Sequence, residues 1–228
     1  MSLGPETFDA GDIILVVDDE MFSRNLLGFT LKNIGEPQVI CVESVAAAED
    51  TLRDLAKPPR LTILDYQMPD RSGLDLLQAI RAGRTGRFGR DLPIMMLSGI
   101  DDGAVVAAAV ALDVDAFVTK PLMAEGLRAR LPFLLGSDRP IKSPEAYEAV
   151  MLRSLSVPHA TDGAVSGGTP VSISELKPLQ RLTRDIRAPR GDLIAAAGST
   201  VTGRLIALLR DLSEAGLALS PIHVKALA

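Results

Sequence analysis

Four short apolar runs in this chain each end on a group able to do chemistry. Leu61-Thr62-Ile63-Leu64 reads as a buried strand and stops on the carboxylate of Asp65; Gln67-Met68-Pro69-Asp70 and Gly73 follow as a turn. Ile13-Ile14-Leu15-Val16-Val17 stops on Asp18-Asp19, and Leu92-Pro93-Ile94-Met95-Met96-Leu97 on the hydroxyl of Ser98. Ala116-Phe117-Val118-Thr119 stops on Lys120-Pro121. In an open α/β sheet, ligands bind at the carboxyl ends of the strands. Parallel strands would therefore gather three carboxylates, a hydroxyl and an ammonium at one edge. One such Asp is easily a turn cap, but three together repel one another unless a cation neutralises them. Hard oxygen ligands with room for water suit Mg²⁺. The set is chemically fit to hold a divalent metal and a phosphoryl group bound covalently to Asp65.

The intervening stretches read as helices. Leu26, Leu27, Phe29, Leu31 and Ile34 make an amphipathic pattern stopped by Gly35 and Pro37. Ser44 opens a second helix over 45–56, closed by Pro58-Pro59, and Leu74, Leu76, Leu77 and Ile80 face a third. Residues 82–91, with three Gly and three Arg, read as an exposed loop on the face away from the carboxylates. Asp101-Asp102 cap an Ala/Val-rich helix over 104–112, and a fifth helix runs over about 123–135. Five alternations of strand and helix predict an α/β fold with a doubly wound, five-stranded parallel sheet.

In that order, the acidic pair, the lone Asp before a Met-Pro turn and Gly, the Ser, the aromatic and the Lys-Pro pair resemble the receiver domain of two-component response regulators (CheY-like, flavodoxin-like fold). The resemblance covers residues 12–136. It implies that Asp65 is the phospho-acceptor and that Asp19, Asp65 and the backbone carbonyl of Gln67 ligate Mg²⁺, with Asp18 acting through water. It implies that Ser98 and Phe117 form the hydroxyl–aromatic switch, that Lys120 pairs with Asp65 or its phosphate, and that the bond to Pro121 is cis. The partner it implies is a cognate histidine kinase or phosphotransfer protein. It also makes the fourth helix, fifth strand and fifth helix the pairing face, with a homodimer as one possible user. An aromatic on a last strand is otherwise a core residue, and Phe117 earns the switch role from its place three residues before Lys120.

Beyond Gly136 the character changes. Residues 1–11 are expected to be a disordered N-terminus, 12–136 the receiver, 137–170 a linker with a short helix over 144–155, and 171–228 a small α+β domain. The 158–170 stretch is rich in Gly, Ser and Thr, and its His159 has no partner at metal-ligand spacing. In the last block, 182–186 and 192–196 read as strands joined around Pro189-Arg190-Gly191. Thr200 caps a helix carrying Val201, Leu205, Ile206, Leu208, Leu209 and Leu212, Gly216 stops it, and 217–224 returns as a strand. The block is similar to a short α+β unit that accompanies HD-GYP phosphodiesterase regulators. The sequence has only two histidines, His159 and His223, and neither starts a His-Asp pair. Metal-dependent hydrolysis of a cyclic dinucleotide needs several such ligands, so no enzyme with an external substrate is expected.

A winged helix binding DNA is the alternative for this block. Eight basic against five acidic side chains give it a net +3, modest for a DNA binder, and the segment before its helix reads as a hairpin where a helix-turn-helix wants a helix. The Arg181, Arg184, Arg187 and Arg190 row is also the kind of charge that protects a strand edge. The whole chain carries −5, which argues against nonspecific nucleic-acid binding. One cysteine, Cys41, fits a reducing cytoplasm and reads as a small core residue. No membrane span or signal peptide is legible. The expectation is a cytoplasmic response regulator acting through a downstream protein partner.

Overall fold

A computed structural model describes residues 7–86, 88–99, 103–136, 139–150, 168–189 and 191–225. Strands β1 (Ile13–Val17), β2 (Gln38–Val42), β3 (Leu61–Asp65), β4 (Ile94–Ser98) and β5 (Ala116–Thr119) form one parallel sheet in the order β2-β1-β3-β4-β5. This is the predicted doubly wound sheet. Helices α1 (Met21–Lys32), α2 (Val45–Asp54), α3 (Gly73–Arg81), α4 (Gly103–Ala111) and α5 (Ala124–Gly136) provide the crossovers.

The strands are apolar on consecutive residues because both sheet faces are covered. Ile14, Val16, Leu61, Ile63, Met95 and Leu97 pack with residues of α1 and α5. Their neighbours Leu15, Val17, Leu64, Met96 and Phe117 pack with α2, α3 and α4 on the other face. Asp101 and Asp102, expected to cap α4, lie outside the described residues.

The structure moves several sequence-based boundaries. Residues 7–11 belong to the fold: Phe8 is buried against Leu27, Leu31 and Ile34 of the α1 layer. Cys41 is exposed, because it sits on an edge strand that pairs only with β1. Part of the expected linker is packed. Helix α6 (Pro144–Glu148) lies on α3, with Tyr147 fully buried and its hydroxyl donating to Asp113 (2.8 Å). Gln78 of α3 donates to the Tyr147 and Val150 carbonyls, both at 2.9 Å. His159 lies outside the described residues.

The C-terminal unit begins at β6 (Thr169–Val171), inside the stretch read as linker. A short 3₁₀ turn and β7 (Arg181–Leu182) follow, then a hairpin of β8 (Ile186–Arg187) and β9 (Leu193–Ala195). Helix α7 (Gly203–Glu214) and β10 (Ile222–Lys225) complete it, with β10 between β6 and β7. The α7 cap is Thr202, not Thr200: its hydroxyl accepts from the Leu205 N–H (3.1 Å), while Thr200 bridges to Arg181. The unit does not stand apart. Leu208, Leu209 and Leu212 of α7 belong to the same buried cluster as Phe117 and the α4 valines. This puts the chain's own α7 and β9 on the α4–β5–α5 face that the sequence reading assigned to a homodimer.

Candidate functional site

The β1, β3, β4 and β5 C-terminal ends bring the predicted groups together. Carboxylate oxygens of Asp18, Asp19 and Asp65 lie within 4.8 Å of one another. Lys120 Nζ bridges two of them, at 2.7 Å from Asp18 and 2.9 Å from Asp65. Asp18 and Asp65 are buried, whereas Asp19 is exposed. Asp18 also accepts from the Glu20 N–H (2.8 Å), and its carbonyl takes the Arg24 guanidinium (2.6 Å). Arg24 has no signature in the sequence; its place one turn into α1 is what aims it at the strand end.

Asp65 accepts from the Gln67 N–H (3.3 Å). Burial pushes the Asp65 carboxyl above the usual carboxylate range, against the pull of Lys120, and the Asp18 charge adds to the rise. Lys120 is held above its ordinary value because the two carboxylates outweigh its own burial. Ser98 is fully buried at the end of β4, Phe117 is buried on β5, and the Lys120–Pro121 peptide is cis.

The turn after β3 is fixed by what surrounds it. Arg71 makes a bidentate pair with Glu49 of α2 (2.9 and 3.0 Å), and Ser72 and Asp75 form a reciprocal capping box at the start of α3. Gly73 is there because nothing larger fits: a β-carbon would stand 2.2 Å from the Asp65 carbonyl oxygen. Gly73→Ala must therefore push α3 away from the strand end. The expected cost is about 1–3 kcal/mol of stability, read from the urea midpoint. A loss below about 0.5 kcal/mol, within the range of an ordinary surface change, would show that α3 yields freely.

The geometry fits a hard cation. Three oxygen donors converge from two strands, two of them are already drawn to an ammonium, and a buried carboxylate with a raised pKa gains most from a positive charge. The groups placed to hold it are the Asp18, Asp19 and Asp65 carboxylates. The exposed Asp19 leaves the site open on its solvent side. Such an arrangement can neutralise a phosphoryl group approaching Asp65.

Residues 14–132 match the family described as the response regulator receiver domain. The chain is 31% identical over 125 residues to the chemotaxis protein CheY1 of Helicobacter pylori, spanning 55% of this chain and 98% of that protein. It is 29% identical over 180 residues to the transcriptional regulatory protein TrcR of Mycobacterium tuberculosis, covering 76% of this chain and 65% of that protein. It is 28% identical over 181 residues to the cyclic di-GMP phosphodiesterase response regulator RpfG of Xanthomonas campestris, covering 79% of this chain and 44% of that protein.

Proposed function

The chain belongs to the response regulator receiver domain family, and from that membership we propose that Asp65 is the phosphoryl acceptor of a two-component response regulator. The observation that carries the reading is the bridge from Lys120 to Asp18 and Asp65 within a cluster of three convergent carboxylates. An Asp65 oxygen attacks the phosphorus of a phosphohistidine donor; the new O–P bond forms as the N–P bond breaks, and the imidazole leaves with its electron pair. Asp19, Asp65 and the Gln67 carbonyl would hold a Mg²⁺ ion, which would supply charge neutralisation for the transferring oxygens. Lys120 contributes a second positive charge from the other side of Asp65. The Ser98 hydroxyl donates to a phosphoryl oxygen, and Phe117, on the strand that ends at Lys120, relays the change. Phosphorylation adds charge and acceptor oxygens, which Ser98 and Lys120 contact only in the modified state; that difference biases the two-state switch.

The donor is a cytoplasmic histidine kinase or phosphotransfer protein, and helix α1 is its docking surface. Phe22 and Phe29 are 72% and 67% exposed, and Met21 on the same helix is exposed as well. Phe22 and Leu26 line an open cavity of about 320 Å³ together with Lys120 and Pro121. Phe22→Ala is expected to slow transfer from a phosphohistidine protein roughly tenfold, the effect of losing one interfacial anchor. Phosphorylation by phosphoramidate should be unchanged, because that donor needs no helix. Equal slowing with both donors would place Phe22 in the chemistry and not in docking.

Output runs through protein contacts. No external substrate is part of the proposal, since the sequence holds two histidines and no His-Asp pair. DNA binding is the weaker reading: Leu208, Leu209 and Leu212 of α7 are buried in the shared core, and Arg204 of the same helix pairs with Asp115. The test is mass spectrometry of the full chain after exposure to phosphoramidate. One phosphoryl group should appear with Mg²⁺ present and fail to appear with a chelator in excess. Incorporation that is indifferent to the chelator would overturn the metal assignment.

A further inference from the structure

The two edges of the parallel sheet are finished differently. At β5 the outer edge is met by α7, and the Asp211 carboxylate accepts from the outward Phe117 N–H. At β2 no described residue pairs with the outer edge. The inner bonds of β2 fix which of its groups point outward. Gln38 N–H donates to the Asp12 carbonyl (2.8 Å), and the Val42 carbonyl accepts from the Asp18 N–H (3.1 Å). Bonding alternates along a strand, so Gln38, Ile40 and Val42 face β1, and the N–H and C=O groups of Val39 and Cys41 face out. Proteins guard such edges with charge, proline or a bulge. Gln38–Val42 carries none of these and keeps an unbroken register with β1 over all five residues.

The side chains beside that edge select what can pair with it. Val39 and Cys41 share one sheet face, and with Arg24, Gly28, Phe29 and Lys32 of α1 they line an open groove of about 490 Å³. Its lining holds two cations and no acid. Its floor is open at Gly28, where nothing stands within 4 Å of a β-carbon position. Partial burial raises the Cys41 thiol pKa, and the Arg24 and Lys32 charges oppose the rise, so both fields reach the strand. Arg24 and Lys32 stand about 12 Å apart along the helix, at 1.5 Å per residue. An extended chain covers that distance in about four residues, and side chains i and i+4 lie on one face.

We propose that β2 is a docking edge for an extended acidic segment of a partner protein, which adds a sixth strand beside β2. Its backbone pairs with Val39 and Cys41. Two carboxylates four residues apart meet Arg24 and Lys32, and the apolar side chain between them lies against Phe29. A second copy of the chain is a poor occupant, since two-fold pairing of β2 edges brings these cations towards their own equivalents. The groove lies on the other flank of α1 from Phe22 and Leu26, so docking there is separate from phosphoryl transfer to Asp65.

The probe is a capped heptapeptide with glutamate at its second and sixth positions and valine at the three between, titrated into the full chain. Fluorescence anisotropy reads binding, and residue-resolved hydrogen exchange reads its place. Saturable binding should slow exchange at the Val39 and Cys41 amides about tenfold and leave the Ile40 amide, which faces β1, unchanged. Lys32→Glu should weaken binding about tenfold, through loss of one exposed ion pair and gain of a like-charge contact. One of the two peptides with a single glutamate changed to lysine should recover it. Val39→Pro removes an outward N–H that no sheet bond uses and should abolish binding; if it folds poorly, the Lys32→Glu comparison decides alone. No saturable binding of the glutamate peptide up to about 1 mM would overturn the docking edge. So would equal binding of a peptide with both glutamates replaced by lysine, or binding that leaves Val39 and Cys41 exchange unchanged. Slow exchange at both amides without peptide, strengthening with protein concentration, would assign the edge to a second copy and overturn the acidic segment.

Discussion

Asp65→Ala is expected to abolish phosphoryl incorporation, a fall of at least about a thousandfold, because the reaction forms a covalent bond to that oxygen. The neighbouring acids do not replace it. Asp18 is buried under Lys120 and the Glu20 N–H, and Asp19 lies on the exposed side of the cluster. The fold should survive, and the reason lies in the same geometry. Burial has raised the Asp65 pKa in spite of Lys120, so its ionised carboxylate is a cost to the folded state. Removing it leaves Lys120 paired with Asp18 at 2.7 Å. Thermal unfolding of Asp65→Ala should therefore match or exceed the native midpoint, while mass spectrometry finds no phosphoryl group. A variant still phosphorylated at near-native rate would place the acceptor elsewhere. A variant that loses both incorporation and fold would leave Asp65 as a structural residue.

The acceptor cluster was legible in the sequence because each group stands next to an apolar run that ends on it. Asp18, Asp65, Ser98 and Lys120 each lie at or just beyond a strand terminus, and a parallel sheet brings such termini to one edge whatever the connecting helices contain. The cis peptide at Lys120–Pro121 was implied by the family resemblance and not by spacing. What escaped was long-range. Arg81 reads as an ordinary last-turn cation of α3, and its partner Asp115 is 34 residues away. Cys41 in an apolar run reads as core until the sheet order makes β2 an edge. Phe8 lies before any periodic pattern, so nothing local announces that α1 will cover it. The docking of α7 was hidden for a different reason. Its stripe of leucines shows that the helix buries one face, but a stripe does not say against what. Both fastenings, Arg130–Asp211 and Arg204–Asp115, join residues more than 80 positions apart.

The largest stability effect should come from the opposite end of the sheet, at Asp115. Arg81, 1% exposed, donates to the carbonyls of Arg90 (2.6 Å), Leu92 (2.9 Å) and Asp113 (3.0 Å) and to Asp115 Oδ2 (3.0 Å). Burial pulls the Arg81 pKa down, and Asp115 is the chief group opposing that pull. The same Asp115 accepts from Arg139 (2.7 Å), from Arg204 (2.6 Å) and from the Ile94 N–H (2.8 Å). One carboxylate thus serves three guanidinia and a strand amide. Asp115→Ala leaves a fully buried cation without its counter-ion, at a cost of about 3–5 kcal/mol. For a chain of this length that is roughly 10 °C in the unfolding midpoint. The loss should couple to the C-terminal unit, because Arg204 shares the acceptor. In a double-mutant cycle, Asp115→Ala and Arg204→Ala should therefore be markedly less than additive, with a coupling of about 1–2 kcal/mol. Additive losses would mean that Arg204 gains its hold on the receiver from the Asp113 carbonyl alone. Phosphoryl acceptance by Asp115→Ala, measured well below its midpoint, should stay near native, since Asp115 precedes β5 and Lys120 follows it. Loss of acceptance in a folded Asp115→Ala would show that the register of β5 against β4, which the Ile94–Asp115 bond sets at one end, is what holds Lys120 in place at the other.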